Sequence, residues 1–428
     1  MRDVIVVGGR VAGSSTAMLL ARKGLDVLLV DRAGFPSDTL STHQIQVPGV
    51  AKLRRWGLLD KVVASGAPPA RAVSFDVGGI VLRGHFPTFE GVDAVYSPRR
   101  TVLDALLLDA ARQAGVEVRE RFAVEELAMD GDRVTGIRGR DHGGAAVTET
   151  ARLVVGADGK HSMVAAAVGA PAYRAEPPLT MAYYTYWEGV DCPGGELYTR
   201  ERRAIGAWPT NDGLVMTYVG WPIDEFKAFR SDVEGNFLAT LDQAGDLGAR
   251  VRAGARAERF RGSPDLPNFF RKPFGPGWAL VGDAGLVMDP ITGQGIGHAF
   301  RDAELLAEAV EAGFGGGRPL AGALADYQRR RDRAATPVYD FTTDLASFGP
   351  PRPESMALFE ALARQPEEVD RFLGAITGST PLDEYLSPGN LVRILGIRTM
   401  AGIVLSRLRQ GARREPPARP AEPVDARG

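Results

Sequence analysis

Of the 428 residues only one, Cys192, is a cysteine. That excludes an internal disulfide and a thiolate metal cluster, and it fits a reducing compartment. Histidine is scarce too: His43, His85, His142, His161 and His298 are scattered without the spacing of a metal site. Neither sign of charge prevails, with 51 Lys and Arg against 53 Asp and Glu. The chain therefore lacks both the basic footprint of a nucleic-acid binder and a polybasic membrane tether. No apolar run is long enough to cross a bilayer. An apolar strand pattern beginning at residue 3 leaves no room for a signal peptide. These absences predict a cytoplasmic enzyme without nucleic-acid partner or stable membrane insertion, in two or three domains at roughly 150 residues each.

What is present starts with a strand–turn–helix–strand unit. Residues 3–7 are a short apolar run, as in a strand buried on both faces. A glycine-rich turn, Gly8-Gly9-Arg10-Val11-Ala12-Gly13, leads into a helix over Ser14 to Lys23 that ends at Gly24. A second strand, Val27 to Val30, closes on Asp31. Such a βαβ start implies a parallel sheet and an α/β fold. A further helix is predicted from Thr101 to Ala114, with Leu103, Leu106, Leu107 and Ala110 on one face. Strands follow at Val116–Arg119, Arg133–Arg138 and Leu153–Val155. Another strand-turn-helix unit runs from Trp278–Val281 to a helix over Gly297 to Ala312. Two insertions, 71–96 and 173–274, are rich in β-branched and aromatic residues and predict a separate, mostly antiparallel sheet. Residues 319–410 read as helical, broken by proline-rich joints at 350–353 and 381–388, with 346–410 as a C-terminal helical region and 411–428 as a disordered tail.

The first turn departs from Gly-x-Gly-x-x-Gly, because Arg10 holds the middle glycine's place. In that motif the first glycine makes the tight turn and the last lets the helix pack on the strand. The middle one lets a pyrophosphate approach the helix N-terminus, where N–H groups and the dipole favour an anion. Arg10 can point away from the phosphates or lie beside them as a cation. Asp31 follows at close to the spacing of an acid that accepts from an adenosine ribose hydroxyl. With Arg32 beside it, it joins Gly8, Gly9, Arg10, Val11, Ala12 and Gly13 as a dinucleotide-binding set. The competing reading is a turn needed only for helix packing.

Two later motifs narrow the dinucleotide. Val154-Val155-Gly156-Ala157-Asp158-Gly159 ends a strand in an Asp-Gly turn. So does Val281-Gly282-Asp283-Ala284-Gly285, followed by Asp289-Pro290-Ile291-Thr292-Gly293-Gln294-Gly295-Ile296-Gly297. In this order the three motifs resemble the FAD-dependent monooxygenases related to para-hydroxybenzoate hydroxylase, a superfamily with halogenase and geranylgeranyl-reductase-like branches. The resemblance covers about residues 3–345. It implies a Rossmann-like FAD domain made of 1–70, 97–172 and 275–345, and a substrate-binding sheet domain made of 71–96 and 173–274. It further implies that Asp283 holds a ribityl hydroxyl, that Asp158 lies near the pyrophosphate and shapes the nicotinamide approach, that Arg100 touches the cofactor and that the Val124 backbone meets the adenine. Pro290, Gly293, Gln294, Gly295, Ile296 and Gly297 form the helix start facing the flavin, with Gly282 in the preceding turn. A helix start rich in glycine exposes N–H groups and a partial positive charge suited to a reduced flavin. The alternative reading makes Asp158 and Asp283 turn or cap residues.

The sequence also departs from the family's hydroxylases. Gly285 and Leu286 stand where a histidine is common, Ser41 where an arginine is, and Ala165 closes the Asp-Gly motif in place of arginine. The halogenases' Trp-x-Trp-x-Ile-Pro is absent, which argues against halogenation. His43, in the loop after the second strand, is the one catalytic candidate, a proton-transfer group by its ordinary pKa; the competing reading is a loop histidine bonded to backbone. His298 reads as a packing residue and Cys192 as inert. Strand alternation puts Tyr183 and Trp187 on one face and Tyr184 and Tyr186 on the other, with either face free to line an apolar pocket. Tyr183, Trp187, Trp208 and Tyr218 are taken as the substrate set. Arg200, Arg202 and Arg203 read as a solvated turn, or else as a site for an anionic substrate or a carrier-protein phosphate.

The resemblance implies an FAD monooxygenase, reduced by NAD(P)H, that hydroxylates or epoxidises a small, largely apolar aromatic or polyketide-like molecule with dioxygen, through a flavin C4a-hydroperoxide. The alternatives are an FAD-dependent reductase or desaturase of an alkene or isoprenoid, and a non-catalytic flavin-fold binding protein. A separate flavin reductase or a carrier protein stays open as a partner.

Overall fold

A computed structural model describes residues 1–403; the expected tail at 411–428 lies outside the described residues. The central sheet runs in the order Phe274–Gly275, Trp278–Leu280, Ala146–Gly156, Arg2–Val7, Val27–Asp31, Glu117–Glu120. Beyond its first, antiparallel edge every neighbouring pair is parallel. Parallel neighbours need crossover connections; helix Val11–Arg22 makes one between the first two strands in sequence. Side chains alternate across the sheet. Val4, Val6 and Leu29 pack with Leu20, Leu103, Leu107 and Phe300. Ile5, Val7, Leu28 and Val30 pack with Phe122, Ile137 and Leu280. That second face lies under an antiparallel meander of Ala123–Asp130, Arg133–Arg140 and the first half of Ala146–Gly156. Burial on both faces is why these strands read as unbroken apolar runs. A buried Val, Leu or Ile contributes about 1.5–3 kcal/mol and a helix cap about 1 kcal/mol. Packing therefore fixes the strand ends that carry the glycine turns.

The second sheet has the path Ala255–Arg256, Thr180–Glu188, Val215–Pro222, Arg203–Pro209, Gly195–Arg200, Ala72–Val77, Ile80–His85. It is antiparallel except where Gly195–Arg200 pairs in parallel with Ala72–Val77. The mostly antiparallel sheet expected across 173–274 is present, and helices Phe226–Ser231, Val233–Leu241 and Leu247–Ala253, absent from that expectation, cover one face of it. Phe229, Phe237, Leu241, Leu247 and Val251 are buried there, and Asp232 caps the second helix by accepting from the Gly235 N–H at 2.9 Å. That cap and the three-to-four-residue apolar spacing are helix signals that the aromatic strands around them overshadowed. A small third sheet, Ala172–Glu176, Asn268–Arg271 and Leu286–Val287, joins the two larger units.

Helix Leu320–Ala346 packs on helix Gly295–Phe314. Helices Pro353–Leu362 and Pro366–Thr377 lie against strand Ile80–His85, with Phe359 edge-on to both Phe75 and Phe372. Among the described residues no helix is long and apolar enough to cross a membrane.

Candidate active site

The three turns singled out in the sequence meet at the C-terminal edge of the parallel sheet, the usual place for a ligand in such folds. The Ala157 N–H donates to the Val7 carbonyl at 2.8 Å, and the Val281 N–H to Gly156 at 3.0 Å. Gly8 has φ +107°, and a Cβ there would lie 2.4 Å from the Ala157 carbonyl oxygen. At Gly13 a Cβ would lie 1.7 Å from the Gly8 oxygen, so this glycine is required by close packing of turn and helix. Gly282 meets the same helix, its missing Cβ 2.6 Å from that of Ala12.

The Arg10 side chain is held by partners outside the turn. Its guanidinium donates to Asp104 at 2.7 Å and to the Ser37 hydroxyl at 3.0 Å, tying the following loop down. Asp104, fully buried, also accepts from Arg100 at 3.0 and 3.1 Å. One carboxylate thus holds both arginines, a role the sequence reading missed. Asp31 accepts from the Gly9 N–H at 2.5 Å and the Ala33 N–H at 2.7 Å, and each oxygen keeps a lone pair for a ribose hydroxyl. Arg32 is exposed. Val124 lies beside the end of Val27–Asp31, because the Phe122 N–H donates to the Asp31 carbonyl at 2.8 Å. Asp158 is turned inward as a helix cap: it accepts from the Ser162 hydroxyl at 2.5 Å and the Met163 N–H at 2.7 Å. The cap reading describes its carboxylate, while its backbone lies against Gly8.

Asp283 differs from Asp158. Its side chain is solvent-accessible yet deep within the protein, as at the floor of a cleft, and it accepts no hydrogen bond from the described residues. Desolvation raises its carboxyl pKa, opposed by Arg100 and Lys160. Nearby, helix Gly295–Phe314 starts with no side-chain cap, and a Cβ at Gly295 or Gly297 would meet nothing within 4 Å. Helix Val11–Arg22 has no cap either. Two helix starts with orphan N–H groups, open glycines and an unpartnered carboxylate fit a ligand carrying phosphates and hydroxyls. FAD fits these residues.

The Pro290–Thr292 turn before this helix is built by Asp289, which is fully buried. It accepts from the Ile291 N–H at 3.0 Å and the Thr180 hydroxyl at 2.5 Å, while its own N–H donates to Asn268 at 2.7 Å. Burial pushes its carboxyl up to about 6, against those two hydrogen bonds. Gly293 takes φ +63° with Gln44 and Gln46 packed where a Cβ would stand, and Gln294 donates to the Ile376 carbonyl at 2.8 Å. From behind, fully buried Arg331 donates to the carbonyls of Gly285 at 3.3 Å and Arg271 at 3.0 Å, and to the Tyr173 hydroxyl at 2.9 Å. Arg331 lies outside every motif, in the helical pattern after residue 319, so nothing local marks it.

Beyond Pro290–Thr292 opens a cavity with an empty volume of about 1160 Å³, its mouth included. Trp208 and Tyr218 line it, with Phe75, Leu197, Phe341 and Leu373. The substrate set must be corrected for Tyr183 and Trp187. Both lie on the opposite face of Thr180–Glu188, where Tyr183 stacks on Phe229 at 4.7 Å and the Trp187 indole donates to Thr217 at 2.7 Å. The face toward the candidate site carries Tyr184 and Tyr186, clustered with Trp208 and Tyr218.

His43 is fully buried with φ +64°. Its Nε2 is hydrogen-bonded to the Tyr186 hydroxyl in place of backbone, and its Nδ1 has no partner. Burial, then Arg100, Arg99 and Arg261, push its pKa down to about 3, so the ring is neutral at working pH. Thr42 and Gln44 on either side line the cavity, and His43 faces the tyrosines behind them. His298 is half-buried and held neutral by burial. Burial raises the Cys192 thiol to about 12. Arg200, Arg202 and Arg203 are taken up by Asp76, Asp224 and Glu225, which leaves no free cation cluster there.

Comparison with known proteins agrees with this geometry. The FAD binding domain family matches residues 1–225. A tryptophan 2-halogenase of Chondromyces crocatus is 27% identical over 76% of this chain and 64% of its own, so the match spans less than two thirds of that relative. Aklavinone 12-hydroxylase DnrF of Streptomyces peucetius is 30% identical, over 74% of this chain and 70% of that protein. Among solved structures, the myxobacterial chondrochloren halogenase CndH shares the fold with a TM-score of 0.73 at 22% identity, covering 94% of this chain and 97% of that one. Because the matched residues 1–225 include two of the three turns that meet at the sheet edge, the chain belongs to the FAD binding domain family and is an FAD-dependent oxidoreductase.

Proposed function

We propose that the enzyme is a monooxygenase that places one atom of dioxygen on a largely apolar aromatic or polyketide-like substrate, by hydroxylation or epoxidation, with NAD(P)H as electron donor. One observation carries this reading: the cavity and the glycine helix start share the Pro290–Thr292 turn as a wall, so an apolar chamber adjoins the cofactor site. Bound FAD supplies the hydride acceptor and the activation of dioxygen.

The chain supplies the rest. The helix starts at Val11 and Gly295 would offer N–H groups to the pyrophosphate and to negative charge on the ring system. Asp283 and Asp31 would accept from ribityl and ribose hydroxyls of the bound cofactor. Trp208, Tyr218 and Phe341 surround the substrate and exclude water. No acid–base triad is required, and neutral His43 lies behind the cavity wall.

The test is turnover of candidate aromatic ketones under isotopically heavy dioxygen, read by mass spectrometry. One heavy oxygen in the product supports the proposal. A hydrogenated or desaturated product without that label would establish the reductase or desaturase alternative, and halide incorporation would establish a halogenase. Purification without flavin, failure of FAD reconstitution and no NAD(P)H oxidation with any substrate would leave the binding-protein reading.

A further inference from the structure

Arg10 holds the middle place of the glycine motif, and its backbone shows why no glycine is missed there: φ −88° suits any residue. The side chain is where the exchange matters. One guanidinium nitrogen donates to Asp104 at 2.7 Å and to the Ser37 carbonyl at 3.3 Å. The other donates to the Ser37 hydroxyl at 3.0 Å and to the Asp38 carbonyl at 3.2 Å. Asp104 is fully buried on helix Arg100–Gln113, so it keeps the fork in place for the loop. A planar fork held this way loses little freedom for each further bond.

What Arg10 holds is a segment with few ties of its own. Among the described residues, 36–44 make no backbone–backbone hydrogen bond. The segment runs from one uncapped helix start to the other. Ser37 and Asp38 are bonded to Arg10, just before helix Val11–Arg22. Gln44 packs where a Cβ of Gly293 would stand, two residues before helix Gly295–Phe314. Residues 36–44 therefore span the two ends of the cofactor site. The second sheet holds them from the other side: Arg261 pairs with Asp38 at 3.0 Å, and Tyr186 is hydrogen-bonded to His43. Between these clasps Leu40 is half exposed. Every one of these ties joins two protein groups, so they act with or without a bound cofactor.

We propose that residues 36–44 are a strap across the FAD site which must lift for the cofactor to exchange, and that Arg10 is the positioning residue that latches it. A latch made in both the flavin-free and the flavin-bound protein raises the barrier between them and leaves their equilibrium nearly unchanged. An arginine lying on the pyrophosphate would act differently, by hastening association and slowing release.

The test measures FAD exchange in Arg10→Met and in Arg261→Met, which opens the opposite clasp and lies outside the glycine turns. Release is followed from holoenzyme diluted into an excess of a scavenging apo-flavoprotein. Association is followed by stopped-flow quenching of FAD fluorescence on protein stripped of flavin. In both variants the two rates should rise together, about fivefold or more for the loss of charged hydrogen bonds, with Kd kept within about twofold. Faster release with association unchanged or slower would overturn the proposal, because the arginine would then stabilise bound cofactor rather than a barrier. Unchanged rates in either folded variant would overturn it too, since the strap would not gate exchange. Should Arg10→Met fail to fold, Arg261→Met decides alone by the same criteria. Neither rate involves a substrate or product, so the result stands apart from the monooxygenase reading.

Discussion

Where the three turns meet, the chain offers orphan N–H groups and an unpartnered carboxylate; in the adjoining cavity it offers rings, methyl groups and neutral polar atoms. The first region is local in sequence, each turn built by consecutive residues at a strand end. The second is assembled from the loop at 42–46, from both stretches of the second sheet and from the helices after residue 320. A family can therefore keep the first region fixed while the second varies its ligand. The difference also predicts how each responds to a single added atom.

The largest effect is expected from Gly13→Ala. Its Cβ would stand 1.7 Å from the Gly8 oxygen, so turn and helix must part. The purified protein should hold almost no flavin and melt well below wild type. Near-normal flavin content in Gly13→Ala would mean that the turn is not packed as described.

Gly297→Ala makes the same chemical change in open space. With nothing within 4 Å of its Cβ, and alanine favoured over glycine within a helix by roughly 0.5–1 kcal/mol, the flavin-free protein should be no less stable. FAD affinity should nonetheless fall, about tenfold or more, if the cofactor occupies that space. Asp283→Asn should separate the two properties further. Its folded pKa is raised, so the ionised carboxyl detracts from flavin-free stability, increasingly as pH rises from the unfolded toward the folded pKa. Asparagine removes that penalty at neutral pH while weakening an acceptor for the cofactor hydroxyl. Calorimetric melting and FAD titration on the same samples read both: stability equal or higher, affinity about tenfold lower or more. Unchanged affinity in both variants would break the cofactor assignment.

How much was legible in the sequence follows the same division. The strand ends, turns and glycine helix start were legible because each is a run of neighbours whose spacing reflects a local constraint, such as Gly8 and Gly13. Arg10 was left open because its partner, Asp104, lies far along the chain. The substrate face was read from one strand alone. Alternation separated Tyr183 and Trp187 from Tyr184 and Tyr186, but which side met a cavity depended on helices at 226–253 covering the other. Arg331 was invisible as a site-builder, and so were the bonds of Asp289 to Thr180 and Asn268, since those partners come from distant segments.

His43 borders both regions, and its effect is confined to the pH dependence of stability. Its ring is neutral in the folded protein, with a pKa near 3 against an ordinary 6.5. Above the ordinary value neither state binds a proton, so its contribution is constant. Below it the unfolded chain takes up a proton that the folded chain refuses, and stability falls by up to about 1.4 kcal/mol per pH unit. Asparagine tolerates the positive φ at this position and does not titrate. Between pH 7 and 5, urea unfolding of wild type should therefore lose about 2 kcal/mol more than that of His43→Asn. Asp289 also titrates near this window, but in both proteins alike, so its contribution cancels in the difference. Equal losses would mean that His43 accepts a proton while folded, which requires water to reach Nδ1. The loop at 42–46 would then open in solution, and the border between cofactor turns and apolar chamber would be a moving wall.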